Sequence, residues 1–516
     1  MGSVAATAMQ SRHRQVFIPL LAVLGLLLFS LLPRIQQNDT LLYSVLAAAG
    51  GLLLWQLLLV LTLKASGETR GLVFPKPKPQ HYIQAMVHTS IYLYWGFYWR
   101  PVYDYAGLLL VQLVFAYGFD MLLSWSRGKD YHLGFGPFPI IFSTNLFMWF
   151  RDDWYYLQFL LLALGFLGKE FVRWNRDGRL VHIFNPSAFS LGLFSLILIA
   201  TGTTHLTWGQ EIASTLTLAP GIYLYLFLAG LVVMYFFSIT LVAAAAAATL
   251  FGLSALYSTL TGVPYFLDSE IPAAVFLGLH LLVTDPSTSP RTPPGKLIFG
   301  VLYGLGVFAL YSLLSTMGAP TFYDKLLCVP LLNLSVQAID RSVHVLQNRP
   351  MLSRLGLDKP GRRANLMHMS VWIVFFAVMS LLGRADGRHP GDSLPFWQQA
   401  CAEERANACQ RLVLLENTYC GDGSGWACNS LGLRNWQGQL VEQSQERALQ
   451  YFARGCELRF QAACLNLLEP DAGLNSDPRE LDLRLLLREG GLNLLEMPAP
   501  DLYERACSHG WEFACE

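Results

Sequence analysis

The 516-residue sequence has few charged residues and, over most of its length, almost no cysteine. Charged residues make up 14% of the chain with no net charge, and only Cys328 of nine cysteines precedes residue 400. There is no Cys-x-x-Cys pair, paired-histidine haem motif, Walker loop, nucleophile elbow or metalloprotease helix. We therefore assign no catalytic residues and predict no metal site. Without a basic tract, we expect no nucleic-acid partner.

Apolar residues, in contrast, form 53% of the chain. They are grouped in thirteen runs, which predict an all-α polytopic membrane protein with about thirteen spans, embedded in lipid. The runs cover residues 16–33, 41–63, 84–99, 105–125, 138–150, 154–168, 186–202, 220–237, 239–258, 271–283, 297–317, 323–339 and 366–383. Because the runs at 138–150 and 271–283 are short, we expect tilted or broken helices there.

The positions of the cations predict the orientation of the chain. They concentrate in alternate connections, beginning with Arg12 and Arg14 ahead of the first run. The others are Lys64, Arg70, Lys76, Lys78, Arg127, Lys129, Lys169, Arg173, Arg176, Arg179, Arg291, Lys296, Arg341, Arg349, Arg354, Lys359, Arg362 and Arg363. Since cationic loops stay in the cytoplasm, this pattern predicts a cytoplasmic amino terminus. An odd number of spans then places residues 390–516 in the periplasm.

The other eight cysteines form four pairs with a single spacing. The pairs are Cys401 with Cys409, Cys420 with Cys428, Cys456 with Cys464, and Cys507 with Cys515. Eight residues of straight helix rise about 12 Å, whereas a disulfide needs α-carbons within about 7 Å, so each pair predicts a stapled corner of a helical hairpin. Zinc would require closer ligands and nearby histidines. Disulfides indicate an oxidising compartment, which agrees with the predicted orientation.

The sequence around the third pair resembles a known repeat. Residues 448–458 (ALQYFARGCEL) look like the core of a Sel1-like repeat of the cysteine-rich type, and Cys420 and Cys456 begin 36 residues apart, close to the period of helical-pair repeats. The resemblance implies stacked helical hairpins over residues 390–516. We expect their concave face to dock a periplasmic or membrane protein partner. The alternative is a domain that only caps the membrane part.

A proline-rich polar segment, residues 284–296 (TDPSTSPRTPPGK), separates two apolar runs. Proline at this density ends a helix, and short hydroxyl and carboxylate side chains cap exposed backbone N–H groups. Such a turn can hold a phosphate or a polar ring edge, although a well-capped loop explains the same composition. About a hundred residues earlier, Asn185-Pro186-Ser187 opens another apolar helix. Two interrupted segments in corresponding halves are typical of a binding site in repeat-built membrane proteins.

These motifs resemble the RnfD/NqrB family, whose members are membrane components of ion-pumping redox complexes such as the sodium-translocating NADH:quinone reductase. Residues 331–334 (LLNL), followed by Ile339-Asp340, are similar to a late Asn…Asp helix of that family. The resemblance covers residues 81–345 and implies an internally duplicated core within a flavin- or quinone-linked electron-transfer complex. The cofactor-binding residues that it implies are Asn185, Pro186, Ser187, Thr284, Asp285, Ser287, Thr288, Ser289, Thr292, Lys296, Asn333 and Asp340.

One element of the family is missing. The family carries an outer Ser-Gly-Ala-Thr segment, whose threonine bears a phosphoester-linked flavin mononucleotide. The corresponding connection here, 201–220 (TGTTHLTWGQEIASTLTLAP), has several threonines but no Gly-Ala-Thr. The resemblance therefore implies FMN or riboflavin bound non-covalently, with a quinone as the other candidate. The alternatives are a transporter or channel, or a membrane scaffold, built on the same core without a redox cofactor.

Together, these patterns divide the chain into four parts. Residues 1–80 form N-terminal anchor helices, 81–345 the core, 346–389 a cytoplasmic loop with the last span, and 390–516 the periplasmic domain. Ionisable residues at membrane depth are further functional candidates, because burying them there is costly. Asp120 is a candidate ion carrier or helix-end cap. We expect His280 to bond to a neighbouring helix.

Overall fold

A computed structural model gives the fold of most of the chain. It describes residues 15–66, 71–128, 130–176, 178–267, 269–344, 361–385, 389–487 and 497–516. Several cations used to predict the orientation lie outside these residues: Arg12, Arg14, Arg70, Lys129, Arg349, Arg354 and Lys359. The described chain forms a helical core, with a helical C-terminal domain packed on one of its ends.

Helices build the described part of the core, with two short sheets at the connections. The helices are α1 (Leu20–Phe29), α2 (Pro33–Gln36), α3 (Asp39–Ser66), α4 (Pro79–Tyr98), α5 (Pro101–Asp104), α6 (Ala106–Arg127), α7 (Pro137–Asn145), α8 (Tyr156–Phe171), α9 (Pro186–Thr201), α10 (Gly209–Thr215), α11 (Ile222–Phe237), α12 (Thr240–Thr261), α13 (Ala273–Leu281), α14 (Pro293–Thr316), α15 (Asp324–His344) and α16 (Arg362–Leu381). Strand β1 (Gly71–Val73) pairs in parallel with β2 (Asp130–His132), and β3 (Arg173–Arg176) forms an antiparallel hairpin with β4 (Arg179–His182).

Each predicted apolar run contains a helix, but thirteen spans are not supported. Six segments of the described chain are long and apolar enough to cross a bilayer: Asp39–Leu63, Ala106–Arg127, Thr240–Thr261, Pro293–Thr316, Thr321–Val343 and Arg362–Leu381. A bent pair, Gly209–Leu218 and Ile222–Phe237, meets at 102° and would add a seventh. The remaining helices are too short or too polar, since a hydrocarbon core of about 30 Å needs roughly 20 apolar residues.

The two predicted broken helices are present. Helices α7 and α13 have nine residues each, so each rises only about 14 Å. Non-helical chain at membrane depth must satisfy its polar groups inside the protein. Beyond α7, this is achieved by three buried amides, because the side chain of Asn145 donates to Gln112 Oε1 (2.7 Å) and that of Gln158 accepts from the Phe150 N–H (3.0 Å).

Helices α9, α14 and α15 connect the two ends of the core. Helix α15 packs on α9 where Gly192 faces Pro330, and a Cβ on this glycine would lie 2.7 Å from the Pro330 ring. Helix α14 packs on α12 at Gly300, where a Cβ would lie 2.3 Å from the Val242 carbonyl. Small residues at these crossings let the backbones approach closely, as is common in membrane helix packing.

The C-terminal domain consists of short helices joined by stapled corners. Its helices are α17 (Leu394–Ala402), α18 (Ala408–Gly421), α19 (Gly425–Gln437), α20 (Gln445–Glu457), α21 (Gln461–Leu468), α22 (Glu480–Leu486) and α23 (Ala499–Ser508). Residues 488–496, between α22 and α23, lie outside the described chain.

All four predicted disulfides are formed, with Cα–Cα distances from 4.6 to 4.8 Å. They join Cys401 to Cys409, Cys420 to Cys428, Cys456 to Cys464, and Cys507 to Cys515. These distances are far shorter than the rise of about 12 Å over eight residues of straight helix. The prediction that the chain reverses between the two cysteines of each pair is therefore confirmed.

The four corners share one backbone conformation. In each, the third residue after the first cysteine has a positive φ: Glu404 (54°), Gly423 (103°), Arg459 (62°) and Gly510 (92°). The next N–H bonds to the carbonyl five residues earlier, as in Ser424 to Tyr419 (2.9 Å). This is a Schellman-type helix end, in which a left-handed residue reverses the chain and satisfies the last helical carbonyls. The disulfides therefore staple four copies of one turn.

The domain packs against the core through polar and cation–π contacts. The Asn407 side chain donates to the Tyr257 hydroxyl on α12 (2.9 Å). The guanidinium of Arg411 lies over the Tyr311 ring on α14 (4.6 Å) and donates to Ser315 Oγ (3.4 Å). Because these contacts come from α18 and the loop before it, the first stapled corner takes part in anchoring the domain. Val263 of the core also packs into the apolar cluster of the domain.

Candidate functional site

The predicted Asn-Pro and Asp-Pro elements meet at one end of the core. Asn185 caps α9, with its side-chain oxygen accepting from the Ser187 N–H (3.0 Å), and Pro186 occupies the first helical position. The backbone N–H of Asn185 donates to Asn333 Oδ1 on α15 (3.1 Å), and Asn333 Nδ2 donates to the Thr288 carbonyl (3.1 Å). Asn333 therefore links the start of α9 to the Asp-Pro loop, residues 284–292.

A partly buried ion pair completes this arrangement. Arg176, at the end of β3, donates to Asp340 Oδ2 on α15 (2.7 Å) and to the Ser289 carbonyl (3.1 Å). Asp340 also accepts from the Arg291 N–H (3.3 Å). From the sequence, we used Arg176 only to predict the orientation of the chain. No local sequence pattern indicates its ion pair with Asp340, which lies 164 positions later. We call Arg176, Asn185, Thr288, Asn333 and Asp340 the polar cluster.

Asp285 acts as the cap of its own loop. Its carboxylate accepts from the N–H (3.0 Å) and hydroxyl (2.7 Å) of Ser287 and from the Thr288 hydroxyl (3.0 Å). The Ser287 hydroxyl also contacts His182 Nε2 (3.0 Å). Burial lowers the pKa of His182, and the Asp285 carboxylate opposes this shift. The polar groups of the loop are thus bonded mainly to one another.

The remaining predicted residues have structural partners as well. Thr292 caps α14 by accepting from the Gly295 N–H (3.2 Å), and Thr284 donates to the His280 carbonyl. Lys296 Nζ donates to the Ser238 carbonyl (2.7 Å), at the break between α11 and α12. The Ser289 hydroxyl differs, because it is buried with no hydrogen-bond partner in the described chain. The predicted site residues are therefore brought together, but as a framework of paired groups with little free capacity.

A large cavity lies at the other end of the core. Its volume is about 960 Å³, and its wall includes parts of residues 204–223, 267–275 and 311–325. Residues 410–419 of α18 form a roof over it, so we call it the roofed cavity. Helix α9 leaves the polar cluster at Pro186 and ends at Thr201, and α14 likewise runs from Pro293 to Thr316 near the cavity. The two features therefore lie at opposite ends of the same helices.

The connection 201–220 contributes directly to the cavity wall. Thr204, Ser214 and Thr217 line it with hydroxyl groups, followed by the turn at Ala219 and Pro220. From the motif resemblance, we expect this connection to correspond to the flavin-bearing segment of the RnfD/NqrB family. It is also the part of the site that motif analysis did not include, because it lacks the Gly-Ala-Thr signature.

The cavity wall contains a buried ion pair, Asp324 and Lys325, at the start of α15. Their side chains are 1% and 2% exposed, and Lys325 Nζ lies 3.3 Å from Asp324 Oδ1. Lys325 Nζ also donates to the Phe322 carbonyl (2.6 Å). Both residues stand within the predicted run 323–339, so two adjacent charges at the start of a span were a signal that motif matching overlooked.

Another charged group lies beside the cavity, where the last span leads into the C-terminal domain. Buried Glu270 accepts from Arg384 Nη1 (2.6 Å) and from the Ser254 hydroxyl (2.7 Å). His389 lies close by and accepts from the Gly391 N–H (3.2 Å). Burial lowers the pKa of His389 to about 4, and the charge of Glu270 opposes this shift. The joint therefore contains one neutral imidazole next to one ion pair.

The two intramembrane candidates have different environments. His280 Nδ1 contacts the Phe276 carbonyl of its own helix (2.7 Å), and its Nε2 is buried without a partner in the described chain. The expected bond from His280 to a neighbouring helix was therefore wrong. Asp120 lies within α6, one to two turns before that helix ends at Arg127, so it does not cap the helix end.

Comparisons with family models, curated proteins and solved structures found no match to this chain. The family resemblance therefore rests on the motifs, and the arguments about function rest on the geometry of the cavity and the cluster.

Proposed function

We propose that the protein is a membrane-embedded component of an electron-transfer complex that holds a flavin or quinone ring non-covalently in the roofed cavity. The carrying observation is that the connection 201–220 lines a cavity of about 960 Å³. By resemblance, this connection corresponds to the segment that presents the flavin in the family. The volume is within the range of cofactor sites, roughly 300–1,000 Å³.

The chemistry of the wall suits such a ring. The Thr204 hydroxyl and the ammonium of Lys325 offer hydrogen-bond donors to the polar edge of a ring. The hydroxyls of Ser214 and Thr217 donate to the Glu211 and Ser214 carbonyls, and their oxygens can accept from a ring N–H or hydroxyl. When bound, a flavin or quinone supplies the redox chemistry, and the protein supplies binding, orientation and exclusion of water. The polar cluster, in this proposal, fixes the positions of α9, α14 and α15, whose far ends form the cavity.

The orientation that we propose places the polar cluster on the cytoplasmic side of a bacterial inner membrane and the C-terminal domain in the periplasm. Two observations support it. The domain lies at the end of the core opposite the cation-rich β3–β4 hairpin, and its disulfides require an oxidising compartment. We also propose that the domain is built of Sel1-like repeats and docks a protein partner, supported by the exposed leucines Leu449, Leu465 and Leu468.

An absorbance and fluorescence spectrum of gently purified protein tests the redox proposal. The expected result is a flavin or quinone spectrum, with the chromophore released into the supernatant by acid precipitation. A flavin that stays in the pellet would mean a covalent link, and a colourless, pure protein would overturn the redox proposal.

Two variants locate the chromophore. If it binds in the roofed cavity, Lys325→Met should lower its occupancy while Asp285→Asn leaves it unchanged. The reverse result, with both variants folded, would restore the sequence prediction that the cofactor binds at the Asn-Pro and Asp-Pro elements.

A second candidate is a transporter. It is favoured by the buried pair Asp324–Lys325 at the head of a span, because charged groups at membrane depth commonly mark solute or ion pathways. A transporter would be colourless and would move solute across reconstituted liposomes. Solute flux should be lost in Lys325→Met. In the wild type, flux should persist in protein that carries no redox cofactor.

A further inference from the structure

The Lys325 side chain has an incomplete set of hydrogen-bond partners. Its ammonium carries three N–H groups, and the described chain supplies two acceptors, the Phe322 carbonyl (2.6 Å) and Asp324 Oδ1 (3.3 Å). The second contact is long, since charge-assisted bonds of this type are usually about 2.7–2.9 Å. Asp324 Oδ1 also accepts the Lys325 N–H. The positive charge is therefore only partly compensated, although its side chain is 2% exposed.

The surroundings of Lys325 favour negative charge. Helix α15 begins at Asp324 and is 21 residues long, so the partial positive charge of its first turn lies at the cavity wall. Tyr303, which does not itself line the cavity, has a hydroxyl that is buried without a partner in the described chain. A Cβ on Gly278 would lie 3.1 Å from this hydroxyl and 3.7 Å from Lys325 Cδ, so the two side chains meet at the same glycine.

The rest of the cavity wall is suited to an apolar body. The rings of Phe322, Tyr223 and Tyr311 line it, along with aliphatic side chains. The charged residues that line it are Asp324, Lys325, Arg384, Asp392 and Arg505. Of the three cations, Lys325 is the buried one, with a side chain that is 2% exposed, whereas that of Arg384 is 49% exposed and is bonded to Glu270. The wall therefore combines one buried cation with aromatic and aliphatic surface.

We propose that the roofed cavity binds a small organic anion, with a single carboxylate or phosphate-ester group at Lys325 and an aromatic or short aliphatic body against the rings. This inference deepens the proposed function, because it names the ligand class of the same cavity, and it applies equally to a redox cofactor and to a transported solute.

Thermal unfolding of the purified full-length protein in detergent tests the proposal with three probes. Phenyl phosphate carries both parts of the expected ligand, benzyl alcohol carries only the ring, and inorganic phosphate carries only the anion. We expect phenyl phosphate to raise the Tm at the lowest concentration and benzyl alcohol to have no effect. Equal shifts with phenyl phosphate and benzyl alcohol, or no shift with any probe, would overturn the proposal for a colourless preparation.

The variant for this test is the double substitution Asp324→Asn and Lys325→Met, which avoids leaving an unpaired buried carboxylate. Its half-saturation concentration for phenyl phosphate should rise at least tenfold. The matched control is Lys169→Met, which removes one positive charge at the opposite end of the core and should respond like the wild type. A double variant that folds and binds phenyl phosphate with unchanged affinity would contradict the assignment of Lys325.

If the protein is purified with a chromophore, the readout is instead the chromophore retained per protein after dialysis. The double variant should retain at least fivefold less than the Lys169→Met control. A coloured wild type whose double variant keeps its chromophore would refute the anion site while the redox proposal stands. A colourless wild type with Lys325-dependent binding of phenyl phosphate would refute the redox proposal while the anion site stands.

Discussion

The stapled corners of the C-terminal domain and the polar cluster of the core both connect helices, but their partners differ in distance along the chain. Paired cysteines are 8 residues apart in every corner. In the polar cluster, Asn185 bonds to a residue 148 positions later and Arg176 to one 164 positions later. The corners are therefore set by local chain geometry and a covalent bond, whereas the cluster forms only when the whole core packs.

Reduction of the disulfides should produce the largest difference in stability between the C-terminal domain and the core. Each disulfide closes a short loop and contributes about 2–3 kcal/mol in the chain-entropy account. Four of them together are comparable with the whole stability of a typical domain, about 5–15 kcal/mol. Treatment with a phosphine reductant should unfold residues 390–516 and leave the core helices intact.

Limited trypsin digestion measures this prediction, with cleavage expected inside residues 390–516 only after reduction. Cys328→Ser serves as the control, because this buried cysteine is free and should not affect the result. If the domain still resists trypsin after thiol titration shows that all its disulfides are reduced, the covalent bonds are not what holds the corners together.

The second largest effect is expected from Asp340→Ala in the polar cluster. It would leave the charge of Arg176, which is 7% exposed, without its carboxylate partner. Breaking a fully buried pair costs about 3–5 kcal/mol, and the cost here should be smaller because Asp340 is 23% exposed and Arg176 keeps its bond to the Ser289 carbonyl. The Tm of the core should fall while trypsin resistance of the domain is unchanged. The control is Arg341→Ala, whose guanidinium bonds to the neighbouring Gln337 side chain (3.0 Å). Equal Tm values for the two variants would show that the cluster does not stabilise the core.

A third test concerns the joint between the two regions. Because burial holds the pKa of folded His389 near 4, below its ordinary 6.5, the unfolded chain binds a proton that the folded chain does not. The contribution of His389 to folding stability is therefore fully present above pH 6.5. It is lost as the pH falls toward 4, which lowers the free energy of unfolding by up to about 3 kcal/mol. Tm measured from pH 7.5 to 4.5 should decline more steeply for the wild type than for His389→Gln. Parallel curves of Tm against pH for the two proteins would show that protonation of His389 does not destabilise the joint.

The smallest effect sharpens the description of the corners. Arg459 occupies the left-handed position that Gly423 and Gly510 fill in two other corners. Since a side chain in this conformation costs about 1 kcal/mol, Arg459→Gly should stabilise the domain by that amount in urea titrations. Glu457→Gly, two residues earlier in helical conformation, should instead destabilise it by about 0.5–1 kcal/mol. A destabilising Arg459→Gly would show that the corner is not under backbone strain.

What the sequence predicts follows the same division. Cysteine spacing predicts the stapled corners, and short apolar runs predict the broken helices α7 and α13, because both signals lie within a few residues. Motif order also identifies residues that do converge, such as Asn185 and Asn333. It does not indicate that Arg176 joins them, since their contact depends on the packing of helices far apart in the chain.

The roofed cavity is beyond local reasoning for the same reason. Its wall combines the connection 201–220, the start of α15 and the face of α18, which share no motif and no periodicity. Lys325 stands at the start of the apolar run 323–339, and this position in the sequence already predicts that its charge is buried. The space that it faces is defined only by the arrangement of the two regions.

The roof of the cavity carries a consequence for biogenesis. Helix α18 has Cys409 near its first turn and Cys420 near its last, so both of its ends are held by covalent bonds to neighbouring helices. A newly inserted chain whose thiols are still reduced would have a membrane-integrated core and an open chamber. We expect thiol oxidation to be the maturation step that closes it, and cells that lack their disulfide-forming machinery should accumulate the protein in the membrane with residues 390–516 open to protease.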